Sequence, residues 1–253
     1  MKVTFLGTGT SQGVPIITCT CVVCSSKDPR DNRLRTSVLI ETEHTNIVID
    51  TGPDFRQQML RENVHKVDAI IFTHGHKDHT AGFDDIRGFN WKTKEAMEVY
   101  SNEEVEIVLK RDFHYAFAEH KYPGVPNLNL NVIQNKNFMI RDIPITPIEV
   151  LHYKLLVFGY RIGDFSYITD ANFISDSEKE KLKGSKVLVL NALRKSEHIS
   201  HFTLDQAVAI ASEIGAEQTY LIHMSHQMGL HVEVDSELPE GINLAYDGLA
   251  VTL

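Results

Sequence analysis

Three imidazoles and a carboxylate fall within six residues at His74-Gly75-His76-Lys77-Asp78-His79, directly after the apolar run Val67–Phe72. No regular helix face or strand face gathers all four. They converge if the strand ends at Thr73 and the chain bends, which Gly75 permits. Imidazole suits zinc and its neighbours, and carboxylate adds a harder oxygen donor, so the mixture reads as a transition-metal site rather than a histidine-rich surface loop. The rest of the chain supplies more donors of this kind. The runs Ile145–Val150, Phe165–Ile168 and Thr219–Ile222 are followed by His152, Asp170 and His223. Donors at strand ends sit on rigid elements, as a catalytic site requires.

All three cysteines, Cys19, Cys21 and Cys24, lie within six residues. An odd, clustered number does not suggest a disulfide framework, and three thiolates leave tetrahedral zinc one ligand short. Net charge is −9, with no basic cluster beyond Arg30–Arg35. That argues against general binding to nucleic acid backbones. A small phosphorylated substrate stays open, because bound divalent cations make a site locally positive. Met1–Thr10 shows no signal-peptide pattern, and no apolar stretch approaches the roughly 20 residues needed to span a bilayer. A cytoplasmic chain that folds as one domain over residues 1–253 is expected.

The elements that must position these residues follow from patterning. Lys2–Leu6 alternates and enters a glycine-rich loop, Gly7–Gly13, which lacks the endings of phosphate-cradling motifs and reads as a loop framing a site. Thr36–Glu41 and Asn46–Ile49 form a hairpin, and Phe55, Met59 and Leu60 recur at helical spacing. Val67–Phe72 is a buried strand, and a helix falls at Glu103–Leu109 or Asp112–His120. Leu128–Ile133, Ile145–Val150, Leu155–Ile162 and Phe165–Ile168 are strands, the last two joined by a tight Gly163-Asp164 turn. Ser175–Leu182 is a helix opened by a Ser175/Glu178 capping box. Val187–Leu190 and Thr219–Ile222 are strands around the helix Thr203–Ile214, which Thr203 and Gln206 cap. Leu244–Leu253 adds one or two more strands. Strands broken by a few helices fit two sheets packed face to face with helices outside.

With His74, His76, Asp78, His79, His152, Asp170 and His223 in this order, nearly the whole chain resembles the metallo-β-lactamase superfamily, whose hallmark is His-x-His-x-Asp-His followed by His, Asp and His. The resemblance implies an α/β fold, an αββα sandwich of two mixed sheets. It also implies two catalytic divalent cations, zinc or manganese. One is held by His74, His76 and His152, the other by Asp78, His79 and His223, with Asp170 bridging. Gly7-Thr8-Gly9-Thr10-Ser11, Cys19-x-Cys21-x-x-Cys24 and the late His223-Met-Ser-His226 further resemble the phosphoribosyl 1,2-cyclic phosphate phosphodiesterases. In those proteins three cysteines and the second histidine of the late motif hold one structural zinc, so Cys19, Cys21, Cys24 and His226 are expected to do so here. The same resemblance makes His201, in Ser-His-Phe-Thr, the phosphate-binding group or general acid. The catalytic residues expected are Asp78 and His201. Asp50 is a candidate to orient a ligating histidine, while His44, His65, His114, His120, His198 and His231 read as surface or packing residues.

The implied activity is a dinuclear phosphodiesterase in which a bridging hydroxide attacks a small cyclic phosphate. A cytoplasmic homodimer is implied with it. The alternatives are a transfer-RNA 3′-processing nuclease, which the acidic charge and the absence of a basic glycine-rich arm disfavour, and a hydrolase of esters, thioesters or lactams. Oxidative di-iron relatives usually carry Glu at the position of His76. A non-catalytic scaffold predicts broken ligands, and none is broken here.

Overall fold

Strict alternation of buried side chains along the first strands decides the architecture. The structure is a computed structural model that describes all residues, Met1–Leu253. In β1 (Lys2–Gly7), β2 (Ser37–Glu41) and β3 (Asn46–Ile49), the residues Val3, Phe5, Val38, Ile40, Ile47 and Ile49 face one core, while Leu6, Leu39 and Val48 face another. A sheet apolar on both faces must be covered on both. These strands pair antiparallel. Strands β4 (Ala69–Ile71), β5 (Met97–Ser101) and β6 (Leu128–Val132) continue the sheet in parallel, and β15 (Ala250–Thr252) closes the other edge against β1.

The second sheet is also mixed. Its order is β11 (Phe173–Ile174), β8 (Ile143–His152), β9 (Leu155–Ile162), β10 (Phe165–Tyr167), β12 (Val187–Asn191), β13 (Gln218–Ile222) and β14 (Ile242–Leu244), with β7 (Phe138–Ile140) paired to β8. Phe158, Tyr160, Ile162, Val187 and Val189 meet the first sheet in a shared core. Leu188 and Leu190 face the opposite way, against α6 (Asp176–Leu182), α7 (Leu204–Ile214) and α8 (His231–Glu237). The outer face of the first sheet packs on α1 (Phe55–Arg61), α3 (Arg87–Thr93), α4 (Glu103–Asp112) and α5 (His114–Phe117). The result is the αββα sandwich expected from the resemblance.

Several local expectations need correction. Leu60 is exposed, so α1 buries only Phe55, Gln58 and Met59. The Ser175 cap is half a capping box: its hydroxyl accepts from Glu178 N, while the Glu178 carboxylate turns to Glu149 N at 2.8 Å and Asn135 Nδ2 at 3.1 Å. At Thr203 the reciprocal box with Gln206 is complete, and Gly215 ends α7 in a left-handed turn. Strand β4 is three residues, shorter than Val67–Phe72, although Asp68 N and Phe72 N still bond to Asn46 O and Tyr100 O on either side. Glu103–Asp112 is the main helix of its region. Elements β5 and α8 had no clear sequence signal.

Parallel neighbours β3 and β4 in one sheet, and β10, β12 and β13 in the other, run toward the same rim. Carboxyl ends of parallel strands are where α/β sheets build sites. At this rim lie Asp50, His74, Asp170 and His223.

Packing and capping make separable contributions. Ile47→Ala, at a position with no exposed surface, is expected to cost about 2–5 kcal/mol. Asn102→Ala removes the side-chain acceptor for Val105 N at the start of α4 and costs about 1 kcal/mol. Urea denaturation midpoints for the two variants check this order; equal losses would contradict the two-sided core.

Candidate functional site

The rim is organised by a buried carboxylate. Asp50 follows β3 in the left-handed backbone region, with φ of 64°, and has no exposed surface. Its Oδ1 accepts from Thr73 N at 2.9 Å, and its Oδ2 accepts from Thr73 Oγ1 and from His79 Nδ1, both at 2.7 Å. Burial pushes the Asp50 carboxyl up, against the pull of His79 and these donors. The Thr73 hydroxyl proton is committed to Asp50, so the 3.1 Å contact between Thr73 Oγ1 and His74 Nδ1 is donated by His74. On the far side, His152 Nδ1 donates to the Ser200 carbonyl at 2.8 Å. All three imidazoles are thereby fixed with protonated Nδ1 turned outward and Nε2 turned inward, the usual arrangement behind metal-binding histidines.

The inward atoms converge. Asp170 Oδ1 lies 3.3 Å from His79 Nε2 and 3.1 Å from His223 Nδ1. Asp170 Oδ2 lies 3.8 Å from His74 Nε2 and 3.3 Å from His201 Nε2. Asp78 Oδ2 is 3.2 Å from His79 Nε2, and His74 Nε2 is 3.0 Å from His76 Nδ1. The His152 ring packs edge-on to those of His76 and His201, with centroids 5.2 and 4.5 Å apart. Every histidine and aspartate drawn from the rim pattern therefore sits in one cluster, with His201 among them. Two overlapping donor sets emerge, Asp78–His79–Asp170–His223 and His152–Asp170–His201.

These residues fit divalent cations. His79 Nε2 and His223 Nδ1 are buried nitrogens with no hydrogen-bond partner, a costly arrangement unless a ligand satisfies them. Burial would raise the Asp170 carboxyl, but the His223 and His79 rings hold it well below the usual range. Burial and nearby rings lower His74, and burial also lowers His76 and His223. His201 is held at about 3 by burial and by His223. Ionised carboxylates beside neutral imidazoles are the protonation states that cation ligation needs. His79 alone is raised well above its usual value, because Asp170, Asp78 and Asp50 outweigh its burial.

Strained backbone is part of the cost of this geometry. Asp170 and His223, like Asp50, are non-glycine residues at positive φ, 55° and 59°. Such residues concentrate at functional sites. Gly52 lets the Asp78 backbone lie against it, since a Cβ there would collide with the Asp78 carbonyl. Thr51 N donates to His79 O at 2.8 Å, tying the ligand loop to β3. From the glycine loop, Thr10 Oγ1 reaches within 3.3 Å of His223 Nε2. Thr10, Thr73 and Ser200 had no spacing signal that marked them.

A second cluster lies beyond His223. Cys19, Cys21 and Cys24 Sγ stand 3.3, 3.4 and 3.5 Å from His226 Nδ1. Sulfur and nitrogen bonded to one tetrahedral zinc at about 2.3 and 2.0 Å would be about 3.5 Å apart. Cys24 N and the His226 ring help lower the Cys21 thiol to about 6, toward the thiolate that metals bind. Of the remaining histidines, His231 is buried, its Nδ1 3.0 Å from Arg33 Nη2, and His198 packs edge-on against His201. A cavity of about 610 Å³ between α1 and α3, lined by Phe55, Met59 and Trp91 among others, contains none of the clustered histidines and aspartates.

Comparison with known proteins agrees with this geometry. Residues 45–224 match the beta-lactamase superfamily domain. The chain is 42% identical to a solved diphosphatase of the PhnP family, covering 100% of this chain and 97% of that one with a TM-score of 0.93. It is 41% identical over 252 residues to an octanoyltransferase from Porphyromonas gingivalis, covering 98% of this chain and 51% of that protein. The chain thus spans about half the length of that relative. A ribonuclease Z from Methanopyrus kandleri is 26% identical over 269 residues, covering 88% of this chain and 93% of that one.

If Asp50 orients His79, Asp50→Asn weakens divalent cation binding by about 10–100-fold. Chelator competition on the folded variant reads this directly; unchanged affinity would remove Asp50 from the site's support.

Proposed function

The chain belongs to the metallo-β-lactamase superfamily, and from that premise we propose that it is a dinuclear metal-dependent phosphodiesterase acting on a small phosphate ester, with a cyclic phosphate as the leading candidate. The coarser statement, a metal-dependent hydrolase, rests on the family and on the relative of 42% identity. The phosphate preference rests chiefly on one observation. His201 Nε2 faces the same Asp170 oxygen as His74 Nε2, at 3.3 and 3.8 Å, on the carboxylate that both donor sets share, and with His152 and Asp170 it completes the second of them.

His74, His76 and His152 are assigned to one cation, Asp78, His79 and His223 to the other, with Asp170 between them. Cations held there supply Lewis-acid charge at phosphoryl oxygens and acidify the attacking water. The chain's own residues do the rest. Hydrolysis forms a bond from water oxygen to phosphorus, breaks the ester P–O bond and delivers a proton to the leaving oxygen. His201 presents Nε2 where a non-bridging or leaving oxygen would lie and, neutral with its proton there, donates a hydrogen bond to the charge that develops. Asp78 and Asp170 supply negative charge that favours cations, and Thr73, Asp50 and Ser200 hold the His74, His79 and His152 rings from behind. The cytoplasmic homodimer implied by the resemblance belongs to the same reading.

The PhnP-family relative is named a diphosphatase, so phosphoanhydrides belong in the substrate panel beside cyclic phosphates. Transfer-RNA processing is less favoured, because a net charge of −9 opposes an electrostatic grip on RNA. Acyl transfer through a cysteine nucleophile is not supported: all three cysteines face His226.

Purified protein loaded with zinc or manganese is expected to hydrolyse cyclic phosphates and bis(p-nitrophenyl) phosphate. His201→Ala should lower kcat by about 10²–10³-fold, the loss of one hydrogen-bond donor to the charge that develops in the transition state. No phosphoryl turnover from a fully metallated sample would end the proposal. Separately, about three metals per chain should fall to about two in Cys21→Ser, since the Cys₃His set is a closed structural shell; elemental analysis of the folded proteins decides it.

A further inference from the structure

The loop between β12 and α7 carries His201, and its shape is fixed residue by residue. Leu193 N donates to Phe202 O at 3.0 Å, and Phe202 N to Ala171 O at 2.9 Å, which closes the loop at its base. Arg194 Nη2 donates to Glu197 O at 2.7 Å across the tip. Asn172 Nδ2 donates to Ile199 O at 3.2 Å, so the peptide just before Ser200 is held from the β11 side. Ser200 is thereby presented to three histidines together. Its carbonyl accepts from His152 Nδ1 at 2.8 Å. Its Oγ lies 3.1 Å from His201 Nδ1 and 3.3 Å from His198 Nδ1, and its backbone N–H donates to His198 Nδ1 at 3.3 Å.

Counting protons assigns the roles. His198 Nδ1 already accepts the Ser200 backbone N–H, so it needs no second donor. The single hydroxyl proton of Ser200 is then free for His201 Nδ1. An imidazole that accepts at Nδ1 carries its proton at Nε2, and Nε2 is the atom of His201 turned toward Asp170 Oδ2. We propose that Ser200 is a positioning residue for both histidines: its carbonyl directs His152 Nε2 into the metal site, and its hydroxyl locks His201 as an Nε2–H donor toward the substrate. His152 and His201 thus depend on different atoms of one residue, one of which no substitution removes.

The kinetic part of this assignment rests on the phosphodiesterase reading, while the tautomer part does not. In the zinc-loaded full chain, Ser200→Ala keeps the backbone carbonyl, so metal content and KM are expected to stay within about twofold of wild type. Turnover of a phosphodiester should fall about 10-fold, part of the roughly 10²–10³-fold that a positioned hydrogen-bond donor supplies. Ser200→Thr, which retains the hydroxyl, should restore most of it. Ser200→Ala combined with His201→Ala should be no slower than His201→Ala alone, the non-additivity that direct coupling requires. Nitrogen-15 NMR of the imidazoles should show His201 shifting from the Nε2–H form toward a mixture in Ser200→Ala. Additive losses, or an unchanged His201 tautomer, would overturn the proposal. If wild-type protein turns over no phosphodiester, the activity reading fails by itself, and the NMR comparison still decides the role of Ser200.

Discussion

The contact on which the site most depends is the hydrogen bond between Asp50 and His79, two side chains with no exposed surface. A buried carboxylate is expensive unless its oxygens are satisfied. Asp50 meets that condition with three donors, two of them from Thr73 at the end of the neighbouring strand. The same carboxylate therefore fastens β3 to β4 and sets the rotation of one histidine at each proposed cation, His79 directly and His74 through the Thr73 hydroxyl. A sheet edge and two imidazoles are fixed by one charge. Without that charge the loop after β4 would keep its sequence but lose what turns the Nε2 atoms of His74 and His79 inward.

Asp170 is the complement of Asp50. Where Asp50 holds histidines from behind, Asp170 faces them, with Oδ1 toward His79 and His223 and Oδ2 toward His74 and His201. Thr169 Oγ1 donates to Asp170 Oδ1 at 2.6 Å, which helps fix the carboxylate plane. Each oxygen thus serves a different half of the cluster, the arrangement a bridging ligand needs. Asp50, Asp170 and His223 all adopt left-handed backbone conformations. Each stands where a strand ends and the chain must turn sharply while aiming a side chain back over the sheet. The strain is offset by two layers of buried strand on one side and, when metal is present, by ligation on the other.

The rim positions His74, His152, Asp170 and His223 were legible in the sequence because each follows a short apolar run, so the periodicity that defines the strand also locates its end. The supporting residues were not. Thr10 meets His223 across 213 positions, and Ser200 meets His152 across 48. Both are common residue types whose role is created by tertiary pairing. Strand β5 was obscured by Glu98, which sits between buried Met97 and Val99 and accepts from Asn129 and Asn131 on the neighbouring strand. Helix α8 lacks a side-chain cap, which removes the usual starting signal. In the Ser175 cap the motif was read correctly as a helix start, but its glutamate found better partners in β8 and the preceding loop.

The cysteine segment gains its meaning from the same rim. Ser26 Oγ donates to Asp31 Oδ2 at 2.6 Å, and Asp31 Oδ1 accepts from His231 N at 2.8 Å. Arg33, almost wholly buried, donates to Thr8 Oγ1 at 2.9 Å and to the Ala245 carbonyl at 2.7 Å. Burial lowers its guanidinium to about 10, against Asp247 and Asp31, so it stays charged and paired at neutral pH. These bonds bind the segment that carries the cysteines to the glycine loop, and the loop in turn lies on the 223–226 stretch through Thr8 O and Met224 N. His223 and His226 are three residues apart and face different clusters. Ordering His226 among three thiols therefore limits where His223 can go, and Thr10 limits how its ring turns. On this argument the cysteines act on the chemistry through backbone position, which is why none of them needs to approach the proposed substrate.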